Sequence, residues 1–269
     1  MRGRTRTAKR LTIAAALLIW VLPDLSRGDD PPAGEITPPH CYEHVRLLRE
    51  DVEQLRRYMG RPQERRRELP VSGAEPREVY FQAMTLFRKA NRLCFEIARK
   101  REEEPSSPEG EIRPAHVYDV VDKSLALIRI VKDKLGMQGN ASEQPIDHSK
   151  TPSDVYRSIV QANRQLNLML DRRLSPADVY RQVTLAIGYA ERLNEQYPGT
   201  DSSVPDAPDY EPNKRPRDVY RRLLACYEKI GKIMRQNGRS SLTLGPHTEE
   251  DLSSVTPSDV YDITSLIVA

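Results

Sequence analysis

His40 and His44 stand four residues apart with Glu43 beside them, and the stretch His40-Cys41-Tyr42-Glu43-His44 spells H-x-x-E-H. On a helix, two imidazoles at that spacing share a face and can hold zinc, with the glutamate placed as a base for hydrolysis. Three cysteines, Cys41, Cys94 and Cys226, allow one disulfide and leave one thiol over. Tyr80, Tyr118, Tyr156, Tyr180 and Tyr220 each close a copy of one short word, and their rings could line an apolar ligand groove. The remaining histidines, His116, His148 and His247, stand beside no recognisable serine or cysteine nucleophile. The chain also has no G-x-S-x-G, P-loop, G-x-G-x-x-G or C-x-x-C-H.

The elements that must position these residues are announced by that word. It reads PPHCY at 38–42, PREVY at 76–80, PAHVY at 114–118 and PSDVY at 152–156. It returns as PADVY at 176–180, PRDVY at 216–220 and PSDVY at 257–261. Copies start 38, 38, 38, 24, 40 and 41 residues apart, which is the signature of an internal repeat. Each residue suits a helix N-terminus. Proline at the first helical position has a preset φ and lacks an N–H that would go unpaired there. Thr37, Thr151, Ser175 and Thr256 precede it as N-caps. The third slot holds Glu78, Asp154, Asp178, Asp218 or Asp259, able to reach back to the cap N–H, and His40 or His116 in two copies.

After each start runs a heptad-like seam. With the proline as offset 0, offset 7 reads Val45, Ala83, Val121, Ile159, Val183 and Leu223, and offset 14 reads Val52, Ala90, Ile128, Leu166, Ala190 and Ile230. Offset 17 reads Leu55, Leu93, Val131, Met169, Leu193 and Ile233. Such alternating spacing of three and four packs helices at a shallow angle. Gly60, Gly136 and Gly238 suit left-handed helix ends, and Pro198 stops the fifth helix. The expected fold is therefore all-α, a helical bundle built from about seven repeated helices, each starting at a P-x-[DEH]-V-Y word.

This register accounts for the H-x-x-E-H stretch without zinc. It is the first copy of the word, His40 takes the slot that His116 takes in the third, and no later segment supplies the second motif of an inverted zincin. No metal, cofactor or catalytic residue is expected. The word tyrosines read first as rings closing the bundle end, with ligand binding by Tyr80, Tyr118, Tyr156, Tyr180 and Tyr220 as the functional alternative. Cys41 sits at offset 3 and Cys94 at offset 18 of the next helix, so antiparallel packing would bring them together as a disulfide. Three separate buried thiols are the alternative, and Cys226, at the inward offset 10, is expected to be a buried free thiol.

Residues 1–28 resemble an export signal: a basic start, the apolar run 11–22, and small Ser26 and Gly28 before a cut at Asp29. They carry six Lys/Arg and one Asp, so the formal charge of +3 becomes 36 basic against 38 acidic residues without them. A nucleic-acid footprint is not expected. After a flexible 29–37 segment, residues 38–172 are expected to form a four-helix bundle and 173–269 a second, partial one. Polar linkers join the helices and are long enough to run back along one, so parallel order is open; only the link at 171–175 is so short that it demands an antiparallel hairpin. The functional expectation is an exported, non-enzymatic binding or scaffold module, possibly sensory, in the periplasm or secreted. Its partner is a protein or a small molecule, and it meets the membrane only through the export signal. A cofactor- or metal-binding bundle is second, and a hydrolase third.

Overall fold

The computed structural model describes residues 35–66, 68, 70–170, 174–196, 209 and 211–268. The expected leader at 1–28 lies outside the described residues. Glu35–Ala269 is one compact, predominantly helical unit. The helices are α1 (Pro38–Tyr58), α2 (Pro76–Ala98), α3 (Pro114–Lys134), α4 (Pro152–Met169), α5 (Pro176–Glu195), α6 (Pro216–Gln236), α7 (Glu249–Ser253) and α8 (Pro257–Val268). Two short strands, β1 (Val71–Ser72) and β2 (Thr243–Leu244), pair antiparallel, Val71 with Leu244 and Ser72 with Thr243.

All of these helices except α7 begin on the proline of a word, and the third residue of the word reaches back in each. Thr151 N–H donates to Asp154 at 2.9 Å, Ser175 N–H to Asp178 at 2.8 Å, and Thr256 N–H to Asp259 at 2.8 Å. Glu78 accepts from Glu75 N–H at 3.0 Å and Asp218 from Arg215 N–H at 2.9 Å. Imidazole fills the same slot at slightly longer range. Thr37 N–H donates to His40 Nδ1 at 3.2 Å, and Arg113 N–H to His116 Nδ1 at 3.1 Å. At the other end Gly60, Gly136 and Gly238 take φ of 63°, 72° and 69°, the left-handed conformation in which only glycine is unstrained.

The first four long helices close into a ring in the order α1–α3–α2–α4, with α1 opposite α2. All four run parallel. Their prolines and third-offset residues, Cys41, Val79, Val117 and Val155, meet in one layer around a small apolar dimple. Farther down the seam Ile159, Leu166, Met169 and their counterparts at offsets 7, 14 and 17 of the other three helices are at most 1% exposed. Burial of this kind is worth about 1.5–3 kcal/mol for each large aliphatic side chain.

Parallel order requires each linker to travel the length of a helix, and side chains of the helices hold the linkers on that path. From 61 to 75 the chain climbs α4: Gln165 binds Pro62 O and Glu64 N–H, and Ser153 Oγ accepts Ala74 N–H at 3.1 Å. From 99 to 113 it climbs α2, through Asn91 with Glu102, Arg88 with Glu104, and Tyr80 OH to Ser106 O. From 137 to 151 it climbs α1. Here Asp51 accepts Ala141 N–H at 2.9 Å, Glu43 accepts Gln144 N–H at 2.8 Å, and Lys150 lies over the Tyr42 ring.

A second set, α5, α8 and α6, runs the opposite way. Asp178, at the start of α5, interacts with Arg92 late in α2, and Lys89 of α2 pairs with Asp262, early in α8, at 2.8 Å, so both helices start toward the far end of α2 and are parallel to each other. Tyr220, early in α6, feels Arg164 late in α4, whereas Tyr227, farther along α6, feels Glu78 at the start of α2. The chain direction does reverse between α4 and α5, but α5 packs on α8 instead of lying along α4.

Two expectations about cysteine are corrected. Cys41 and Cys94 are free, buried thiols, and Cys226 is exposed. The disulfide required α1 and α2 to be antiparallel. They are parallel and diagonal in the ring, which leaves offsets 3 and 18 about 22 Å apart along the axis. Cys41 Sγ–H instead donates to Pro114 O at 3.3 Å, and burial pushes the thiol up to about 12. Cys226 is exposed because nothing among the described residues covers that side of α6.

Candidate functional site

The seam that is closed in α1–α4 is open in α5 and α6. At offset 7 Val183 and Leu223 are only half-buried, and at offset 10 Cys226 is exposed. Their counterparts Val45, Ala83, Val121 and Ile159, and Leu48 and Leu86, are wholly covered. Tyr180 (73% exposed) and Ile187 (50%) continue the uncovered face on α5, while Leu185 and Tyr189 are exposed on the other side of that helix. Farther along stand Leu193 (55%) on α5 and Ile233 (58%) on α6. α8 covers one flank of this groove down to Val268 and buries Val260, Ile263 and Leu266 in doing so. Grouped exposed apolar residues mark an interaction surface more often than isolated ones do.

The five word tyrosines lie in separate settings. Tyr80 and Tyr156 are buried in the first ring, and Tyr80 OH donates to Ser106 O. Tyr118 stacks on His44 with ring centroids 4.2 Å apart. Tyr220 is buried between α6 and the α7 approach, its hydroxyl 3.2 Å from His247 Nε2. Burial, reinforced by the neighbouring Tyr227 and Tyr220, raises the Tyr156 phenol well above its usual range, so that it stays neutral. Tyr180 is the one that reaches the open groove.

The H-x-x-E-H side chains are divided among different partners. His40 Nδ1 caps its own helix, 2.7 Å from Thr37 Oγ1. His44 Nε2 pairs with Asp122 at 2.9 Å, and Glu43 is engaged by Arg46 at 2.7 Å. The Arg46 hydrogen bonds hold the Glu43 carboxyl below its usual range, which suits an ion-pair anchor better than a base. Among the described residues no three His, Cys, Asp or Glu side chains converge as a metal would require.

A separate cavity of about 360 Å³, with Leu168, Leu174 and Pro257 in its wall, opens beside Glu64, Arg66, Asn167, Thr256 and Ser258. Asn167 is buried with neither amide atom hydrogen-bonded. Arg66 is held there by Glu64 at 2.9 Å and by Asp259 at 2.6 Å.

Compared with protein-family models, curated proteins and solved structures, the chain matches none of them. Among the described residues no helix is long and apolar enough to cross a membrane.

Sequence reasoning missed the open groove because the seams of α5 and α6 are as aliphatic as those of α1–α4. Ile187 at offset 11 is no signal either, because α2 and α3 carry Phe87 and Leu125 at that offset and bury them.

Proposed function

We propose that this chain is an exported helical-repeat protein, with one helix per P-x-[DEH]-V-Y word, that serves as a non-enzymatic binding or scaffold module. Its partner is another protein, and the contact is the α5/α6 face. What supports the reading is the contrast between two sets of equivalent residues, fully covered in α1–α4 and half-buried or exposed in α5 and α6. Water-exposed aliphatic area on this scale is held in reserve for association. The leader at 1–28 directs it to the periplasm or outside the cell.

The test places a photo-reactive benzoylphenylalanine at Ile187, or at the exposed linker residue Glu103 as control, in the full chain expressed in its own cells. A discrete adduct at 187 and none at 103, with a mature N-terminus at Asp29, is expected. An absence of adducts at 187 would remove the binding-module reading, and retention of residues 1–28 would remove the export part.

A small polar ligand is the second reading, favoured by the unpartnered Asn167 amide at the cavity wall. Such a ligand would raise the melting temperature of the parent and not of an Asn167→Leu variant; equal shifts in both would dismiss it.

A further inference from the structure

We infer that the α5/α6 groove is the open fourth place of a second parallel ring, and that its occupant is a further helix of the same word. This rests on the α5/α6 face being a protein-binding surface and adds what binds there and how.

The argument is topological. In the closed ring the first and second helices, α1 and α2, are diagonal; the third, α3, packs between them on one side and the fourth, α4, on the other. In the second set α5 and α6 again do not pack on one another to any extent, and the next word helix, α8, packs on both. Three helices thus repeat the places of α1, α2 and α3 in order. The place equivalent to α4 is bounded by α5 and α6 and stands open among the described residues.

Exposure at individual layers agrees. Offsets 7 and 10 are levels at which α8 is present, with Thr264 buried and Ile267 half-buried, yet Val183 and Leu223 are only half-buried and Cys226 is exposed. The shortness of α8 therefore does not explain them; a missing neighbour does. Its chemistry follows from the closed ring. It enters parallel, presents valine or another small apolar group at offset 3, aliphatic residues at offsets 7, 14 and 17, and a small residue at offset 10, as α4 does with Val155, Ile159, Leu166, Met169 and Ala162. Its word joins those of α5, α6 and α8 in one layer. A second copy of the chain is a poorer occupant. Its α1–α4 seams are already buried, and its own α5, α6 and α8 offer another groove rather than a ridge.

The probe is a synthetic peptide of residues 151–170, the fourth-place helix of the closed ring, added to the mature full-length chain. Saturable binding with a gain in helical circular dichroism is expected. Scrambling the order of the first six peptide residues, or Cys226→Glu in the protein, should each weaken it about tenfold or more, the equivalent of about 1.4 kcal/mol. Equal affinity for the scrambled-word peptide would overturn the inference, because a merely apolar strip would not read the helix start. So would an unchanged affinity in Cys226→Glu, or a dimer of the chain in sedimentation that Cys226→Glu abolishes. Adducts at position 187 in cells together with failure of the peptide would leave the binding face standing and remove only the ring completion.

Discussion

Lys132 is wholly buried in the seam side of α3, and replacing it with methionine probes how the α3–α4 linker is held. Its ammonium has three donors and three acceptors: Asp51, Gln54 Oε1 at 2.7 Å and Gly139 O at 2.7 Å. Asp51, also fully buried, keeps two other partners, Ala141 N–H at 2.9 Å and the partly exposed Arg129 at 3.3 Å. Lys132→Met fills the space with similar volume but leaves a buried carboxylate short of its main counter-charge. Breaking a buried pair in this way costs about 3–5 kcal/mol, and Arg129 places the expectation near 3. For a chain of this size that is a fall in melting temperature of about 6–12 °C. Urea denaturation should show a lower midpoint with little change in slope, and the Ala141 amide should exchange faster. Adding Asp51→Asn removes the stranded charge while keeping an acceptor for Ala141, so the double variant should be more stable than the summed losses by about 1–3 kcal/mol. Strict additivity, or a single variant within about 0.5 kcal/mol of the parent, would refute the account of Asp51 and Lys132 as one unit.

The helix starts and the thiols give two further tests. Thr151→Ala with Asp154→Ala should cost about 1–2 kcal/mol through lost capping, and an unchanged urea midpoint would count against the box. Burial acts to raise the Asp154 carboxyl, but its hydrogen bonds with Thr151 and Arg157 outweigh this and hold it below its usual range; Asp178 is likewise held down by Ser175. Both folded values lie below the unfolded one, so their stabilisation is complete above about pH 4 and is lost as pH falls through the depressed values. The double variant should therefore lose less stability than the parent on acidification. Thiol titration should find Cys226 alone reactive in the native chain and three groups in denaturant; one group in denaturant would reinstate the disulfide.

Helix starts were the most legible part of the chain, because capping is decided within four residues, the three that open each word and the one before it. Even the histidine copies obey it: His40 and His116 accept the cap N–H as the carboxylates do. Helix direction was not legible from the seam, since an a/d pattern looks the same read up or down. The disulfide expectation failed on that point alone. Cys226 failed differently: offset 10 faces inward only if a neighbour stands there, and a seam residue cannot signal whether its neighbour is on the same chain. The linker contacts were hidden for a third reason. Asp51, Glu43, Asn91 and Gln165 are ordinary polar helix residues until the returning chain is laid against them.

Parallel order nevertheless has a sequence signature, which lies in the linkers and the word together. In an antiparallel bundle alternate starts fall at opposite ends, so neighbouring starts never meet and have no reason to share a fifth residue or a valine at the fourth. Here valine or cysteine at offset 3 of four helices forms one layer, and the same word is kept because the same contact is made four times. A helix of 21 residues spans about 32 Å, and a return path of that length needs about ten extended residues. The links at 61–75, 99–113 and 137–151 exceed it, and the link at 171–175 cannot. The chain therefore changes direction at that link and begins a second set of starts at the opposite end. Seven words divided there give four and three, and the three leave α5 and α6 with a shared uncovered flank.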